Sequence, residues 1–317
     1  MATHGLYGEI RANRRRSALL ALGIVLLLAV FGAALGAYYG SAGAGVALAS
    51  GLAGGMLAVT WFGGPQMTLA ASRARPADPA RDRVLINVVE EMAIAAGLPV
   101  PALYVMDDSA PNAFATGRDP AHAIVAVTTG LYAKLDRDEL QAVVAHELSH
   151  VRNYDIRYTT FVAVTVGAIA LLADFAVRHM AWGGGPRRSR NRDARAPLIL
   201  LAILVAILAP ISARLLQAAV SRQRETLADL GGAELTRYPE ALARALEKIE
   251  ADPEVLEAAN RATAPLYIVN PLKSFEARAA GLLRTHPPTA ERAALLRGLV
   301  LSGAAPRGVP PIIAPPG

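Results

Sequence analysis

"AVVAHELSHVRNYD", residues 142–155, sets two histidines four positions apart with a glutamate directly after the first. Leu140, Val143, Val144 and Leu148 surround them at helical spacing, so this is a helix with a largely apolar surface. On a helix, residues four apart lie on one face one turn apart, and His146 and His150 can aim both imidazoles at one ion. Glu147 lies about 100° around the helix, near such an ion but outside the ligand row. That is the mechanical content of H-E-x-x-H: two metal ligands and a general base for a water. Three ionisable groups on a buried helix need a partner, which a metal supplies. The competing reading is a polar helix with two solvated histidines.

The 317-residue chain has no cysteine, which excludes disulfides and thiolate metal sites. A metal must therefore use His, Asp or Glu. Catalytic zinc takes three protein ligands and keeps one open position. The best third ligand lies in "SRQRETLADLGG" (221–232), where Glu225 and Asp229 are four apart on a predicted helix. Glu225 can ligate while Asp229 accepts the N–H of a ligand histidine and fixes its tautomer. The alternative is a surface helix salt-bridged through Arg222 and Arg224. His4, His122 and His179 lack ligand spacing.

Four apolar segments frame these motifs. Ala18–Gly40 and Ala42–Gly64 carry no charge, and each is long enough to cross a bilayer, which takes about 20 residues. Small residues in the second suit close helix packing, and Trp61 and Phe62 suit an interface. Arg14, Arg15 and Arg16 precede the first segment as in a signal peptide, but its length and the span that follows favour an uncleaved anchor. Arginines flank the pair on both outer sides and none lies in the link, which places both outer ends in the cytoplasm. Segments at about 158–177 and 197–220 are less clean. They contain Asp174, Pro210 and Arg214, and the Arg-rich link between them disobeys the positive-inside rule if both span.

Between the pairs, residues 73–157 read as the first part of a soluble domain. A helix is predicted in "VLINVVEEMAIAAGLP" on the spacing Val84, Val88, Met92, and short strands in "PALYVMDD", "NAFAT" and "AIVAVTTGLY". Asp136 with Glu139 resembles a capping box opening the H-E-x-x-H helix. Residues 221–300 read as the second part, with one helix stopping at Gly231-Gly232, an amphipathic helix from Tyr238 and a short one before 300. Residues 1–17 are a cytoplasmic N-terminus, 18–64 a transmembrane hairpin, 158–220 a second hydrophobic hairpin, and the Pro- and Gly-rich 301–317 a disordered tail. A net charge of +6 suits an anionic membrane surface, while 5% aromatics argue against a stacking surface for nucleic acid. The expected fold class is a mainly α integral membrane protein with a small β-sheet, an H-E-x-x-H helix and about four hydrophobic helices.

In this order, an anchor pair, "PNAFATG", "HELSH", a second apolar pair, "SRQRETLAD" and "THPPTAERAALL" resemble the HtpX family of bacterial membrane zinc metalloproteases, relatives of the CAAX-processing membrane protease. The resemblance covers most of the chain and departs where Thr226 and Leu227 replace an aromatic and a small residue. It implies a zincin-like fold and one Zn2+ held by His146, His150 and Glu225, with Glu147 as catalytic base. It implies endoproteolysis of damaged or misfolded membrane proteins at the bacterial inner membrane, facing the cytoplasm, beside other membrane quality-control proteins. Proteases of this class hold substrate as an added strand on a sheet edge. Asn112, Ala113, Phe114, Ala115 and Thr116 are the candidate edge, with Ile124–Thr128 beside them. His286, before two prolines, either approaches the metal or caps a turn. The alternatives are a non-enzymatic membrane scaffold, a four-helix transporter, and a CAAX-type prenyl-peptide protease.

Overall fold

A computed structural model of the chain describes residues 40–164, 222–257, 266–269 and 287–302, with scattered positions between 15 and 37 and at 203 and 207. The β-rich runs pair into one mixed sheet. Strands β1 (Arg75–Pro76), β2 (Ala102–Met106), β3 (Ala113–Gly117) and β4 (Ala123–Thr128) stand in the order β1-β2-β4-β3. β2 and β4 are parallel, and β3 returns antiparallel to β4, with Ala115 opposite Val125. β3 is therefore an edge strand.

The helices are α1 (Ala42–Ala71), α2 (Arg83–Ala96), α3 (Thr129–Lys134), α4 (Arg137–Arg152), α5 (155–164), α6 (Arg222–Thr236), α7 (Pro239–Ala251) and α8 (Thr289–Ser302). α2 stops as Gly97 takes a left-handed φ of 65°, which only glycine adopts without strain. Its buried face is Leu85, Val88, Val89 and Ala93, one position round from the face expected from Val84 and Met92; Val84 is exposed. The helix packs on α4 from one side, and the extra β-branched residue shifts its apolar stripe.

α4 is the centre of the domain. It opens with the expected capping box: Glu139 N–H donates to Asp136 Oδ1 at 2.9 Å, and Asp136 N–H to Glu139 Oε2 at 3.0 Å. Glu139 is buried, and Lys248 Nζ at 2.7 Å and Arg244 Nε at 3.3 Å neutralise it from α7. One continuous core joins α4 to α2, α6, α7 and the inner face of the sheet through Val143, Leu148, Leu85, Val127 and Leu246.

α6 corrects one expectation. Gly231 and Gly232 do not end the helix, which continues to Thr236. A β-carbon on Gly231 would stand 2.5 Å from Ser149 Oγ, and one on Gly232 3.1 Å from the His146 amide nitrogen. The glycine pair is the contact that lets α6 lie against the backbone of α4. Helix propensity, about 1 kcal/mol against each glycine, loses to that packing.

α1 is one helix long and apolar enough to cross a membrane. Its 30 residues run about 45 Å, longer than a hydrocarbon core of about 30 Å. The first turns expose Val46, Leu48, Leu52 and Val59, whereas Gly64, Pro65, Thr68 and Leu69 are buried. Those last turns dock on α5, where Gly64 faces Thr160 and Val164. The described positions between 15 and 37 are helical, and Gly32 and Gly36 meet Gly45 so closely that no side chain would fit between them. Most of 158–220, His286 and residues 303–317 of the expected tail lie outside the described residues, while 301–302 are the end of α8.

Candidate active site

His146, Glu147 and His150 project from α4, and Glu225 and Asp229 from α6, across the glycine contact. The ligand atoms of His146, His150 and Glu225 lie within 4.8 Å of one another. His150 Nε2 stands 3.8 Å from Glu225 Oε1, and the two imidazole rings are perpendicular at 4.9 Å. All three side chains are buried or nearly so.

Each imidazole is held from behind by a carboxylate. His146 Nδ1 is 3.0 Å from Asp229 Oδ1, and His150 Nδ1 is 3.0 Å from Asp155 Oδ2. The His150 contact is a hydrogen bond, whereas His146 Nδ1 meets Asp229 as an ion-pair contact off hydrogen-bond geometry; a carboxylate behind each ring orients it. Asp155 closes the opening stretch of sequence, five residues past His150, and reaches back because Tyr154 takes a left-handed φ of 60° after α4 ends. Asp229 in turn accepts two bonds from Arg292 of α8, Nε at 2.8 Å and the second terminal nitrogen at 2.7 Å. Arg292 also donates to the Ile268 carbonyl at 2.9 Å and lies 3.8 Å from Glu225 Oε2.

Sequence reasoning brought together His146, Glu147, His150, Glu225 and Asp229. It missed Asp155 and Arg292. The signal for Asp155 was its place just beyond the helix end. Arg292 carried none beyond its position in "THPPTAER", because nothing in spacing links it to α6.

The electrostatics favour a bound cation. Burial pushes the Glu147 carboxyl up to about 7; the His150 charge, the Ala115 amide and Arg292 oppose this, while Glu225 adds to it. Burial disfavours a charged His150, yet Asp155, Glu225 and Glu147 outweigh it and raise its pKa to about 9. Burial keeps His146 below its usual value against the pull of Asp229. A cluster of carboxylates that holds a proton on His150 also suits a divalent ion, which would displace that proton. The donor set fits zinc: two imidazoles and a carboxylate, with His146 Nε2 buried and without a hydrogen-bond partner among the described residues.

The cleft beside this cluster is lined by Ala115, Glu147, His150, Glu225, Tyr267 and Ile268. At about 20 Å³ it has room for a water. Its far wall is a strap of the chain, 266–269, seated on the outer edge of β3. Ile268 N–H donates to Ala113 C=O at 3.0 Å, Tyr267 pairs with Phe114, and Asn112 Nδ2 donates to Val269 C=O at 2.9 Å. Of the candidate edge residues, Asn112, Ala113 and Phe114 thus face the protein's own strap, Ala115 faces the cleft, and Thr116 bonds Thr160 of α5.

Residues 79–300 match the family model Peptidase family M48. The chain belongs to peptidase family M48. It is similar to the protease HtpX homolog of Dictyoglomus thermophilum, 43% identical over 92% of this chain and 94% of that one. The protease HtpX homolog of Lactiplantibacillus plantarum is 42% identical over 93% of this chain and 100% of its own length. Among solved structures, the crystal structure of S. mikatae Ste24p aligns with a TM-score of 0.42 at 20% identity, over 79% of this chain and 64% of that one. As a member of M48 the chain is a metalloendopeptidase, and the family with its His, His and Glu donor set implies zinc.

Proposed function

We propose that this M48 peptidase is anchored in the bacterial inner membrane and cleaves misfolded or damaged membrane proteins on the cytoplasmic side. The observation that carries the proposal is the placement of the His146–His150–Glu225 cluster on the domain that α1 enters through its last, buried turns. The arginines Arg73 and Arg75 that follow α1 support a cytoplasmic location for that end. The remaining hydrophobic segments and the parts of the domain on either side of 158–220 belong to the same reading.

In this reading His146, His150 and Glu225 hold one zinc ion per chain, with Asp229 and Asp155 orienting the histidines. When bound, zinc lowers the pKa of a water towards ~7 and polarises a carbonyl oxygen. Glu147 lies beside the cluster and lines the same cleft as His150 and Glu225. It takes the proton of the attacking water and hands it to the leaving amine. The polypeptide substrate adds to the edge of β3 through main-chain hydrogen bonds, starting at Ala115. Arg292 keeps Asp229 ionised beneath His146.

Chelation followed by zinc return tests this reading. The purified full-length enzyme should lose cleavage of an unfolded membrane protein on chelation and regain it with zinc, and Glu225→Ala should neither hold zinc nor cleave. Cleavage that survives in Glu225→Ala would remove the proposed ligand set. Cleavage of globular soluble proteins alone, with membrane proteins spared, would remove the substrate class.

A further inference from the structure

We infer that the strap at 266–269 is an autoinhibitory strand that holds the place of the substrate on β3. This rests on the reading of the chain as a zinc peptidase that takes substrate on that edge, and adds how the edge is regulated. Thr128 N–H donates to Asn112 C=O at 3.0 Å. The main-chain groups of Asn112, and by alternation those of Phe114 and Thr116, therefore turn to β4 in the antiparallel ladder. Those of Ala113, Ala115 and Gly117 turn outward, and a strand added to β3 bonds these alternate residues. The strap already holds the first of them. Ile268 N–H donates to Ala113 C=O at 3.0 Å, and Tyr267 bridges Phe114 antiparallel. Ala115, the next outward residue, lines the cleft beside His150 and Glu225, and Gly117 N–H donates to Thr160 Oγ1 at 3.3 Å. A substrate strand that passes the cleft and continues along β3 needs the seat at Ala113 that Ile268 occupies. Strap and substrate exclude each other there.

The pairing of the strap with β3 is slight, and side chains do most to hold it. β3 pairs with β4 along the whole of Ala113–Gly117, whereas the strap meets β3 in an isolated bridge. The Tyr267 ring stands edge-on to Phe114 at 5.2 Å, and its hydroxyl donates to Ser72 Oγ at 3.3 Å, at the end of α1. Ile268 is buried in the core of the domain. Asn112 Nδ2 and Arg292 donate to the Val269 and Ile268 carbonyls, both at 2.9 Å. Lifting the strap breaks these contacts. An incoming chain offsets them by bringing its own main-chain bonds to β3 and its own apolar side chains to the vacated seats. An unfolded apolar segment can do both, whereas a folded protein keeps its main chain and apolar side chains engaged. The strap thus lowers the fraction of enzyme competent to bind and reserves the edge for exposed apolar polypeptide.

Locking the strap in the full-length enzyme tests this. The chain has no cysteine, so Phe114→Cys/Tyr267→Cys supplies its one pair of thiols. Facing residues of an antiparallel pair that do not bond each other have Cα atoms about 4.5 Å apart, within the reach of a disulfide. Reduced and oxidised forms should both keep the wild-type zinc content, and the reduced form should cleave an unfolded membrane protein. Oxidation of the two thiols with diamide should drop kcat/KM at least about tenfold, because the competent fraction falls when the strap is held, and a reductant should restore it. Equal cleavage by the two forms, with the disulfide confirmed by mass, would mark the strap as a fixed wall and overturn the inference while the peptidase reading stands. Wild-type protein that holds no zinc and cleaves nothing would remove that reading and the inference with it. Should the cysteine pair fail to fold, seen as lost zinc, Ile268→Ala carries the test by shortening the side chain that seats the strap. Its KM for the unfolded chain should fall several-fold, with kcat within about twofold of wild type. A KM unchanged or raised at wild-type zinc content would overturn the inference.

Discussion

At the scale of single residues, the histidines depend on carboxylates that the H-E-x-x-H pattern does not contain. Asp155→Asn leaves His150 without its charged acceptor at 3.0 Å. Zinc affinity should drop about 10- to 100-fold, read by chelator competition. Away from the cluster, Asp82 shows the pH behaviour of the domain. Burial alone would raise its carboxyl, but Arg75 at 2.8 Å, the Asp78 amide and the Tyr132 hydroxyl hold it below the usual carboxylate range. A depressed carboxyl contributes stability above its unfolded pKa of about 4 and loses it as pH falls through the lower folded value. Asp82→Asn should therefore melt lower than wild type at pH 7, and the gap should close in strong acid. A gap that widens in acid would contradict the assignment.

At the scale of elements, the contact of α4 with α6 builds the site, and glycines set its distance. Gly231→Ala forces a β-carbon towards Ser149 and should cost about 1–3 kcal/mol. Gly298, in α8, has open space around it, and Gly298→Ala should stabilise by about 0.5–1 kcal/mol. Chemical denaturation separates the two signs. The strap at 266–269 makes a further prediction. Ile268→Pro removes the N–H that Ala113 accepts, frees the β3 edge, and should raise kcat/KM several-fold on an unfolded substrate. The capping box, the strand runs and the histidine spacing were legible in the sequence because each is set by neighbours within a few residues. The glycine pair reads locally as a stop, and only the partner helix shows it to be a contact. Asp155 depends on the left-handed turn at Tyr154. Arg292 and the strap depend on chain more than 60 and 150 residues away from their partners, Asp229 and Ala113.

At the scale of the whole molecule, α1 joins a long, exposed apolar stretch to the domain that carries the His146–His150–Glu225 cluster. Metal binding by His146, His150 and Glu225 and proton transfer by Glu147 are separable. The most direct measurement is zinc content and cleavage of an unfolded membrane protein by Glu147→Gln beside wild type. The variant keeps His146, His150 and Glu225, so it should hold one zinc per chain. It loses the base, so cleavage should fall at least about 10²- to 10⁴-fold. A zinc-loaded Glu147→Gln that cleaves at the wild-type rate would contradict the mechanism, and a wild-type protein that binds no zinc would contradict the site.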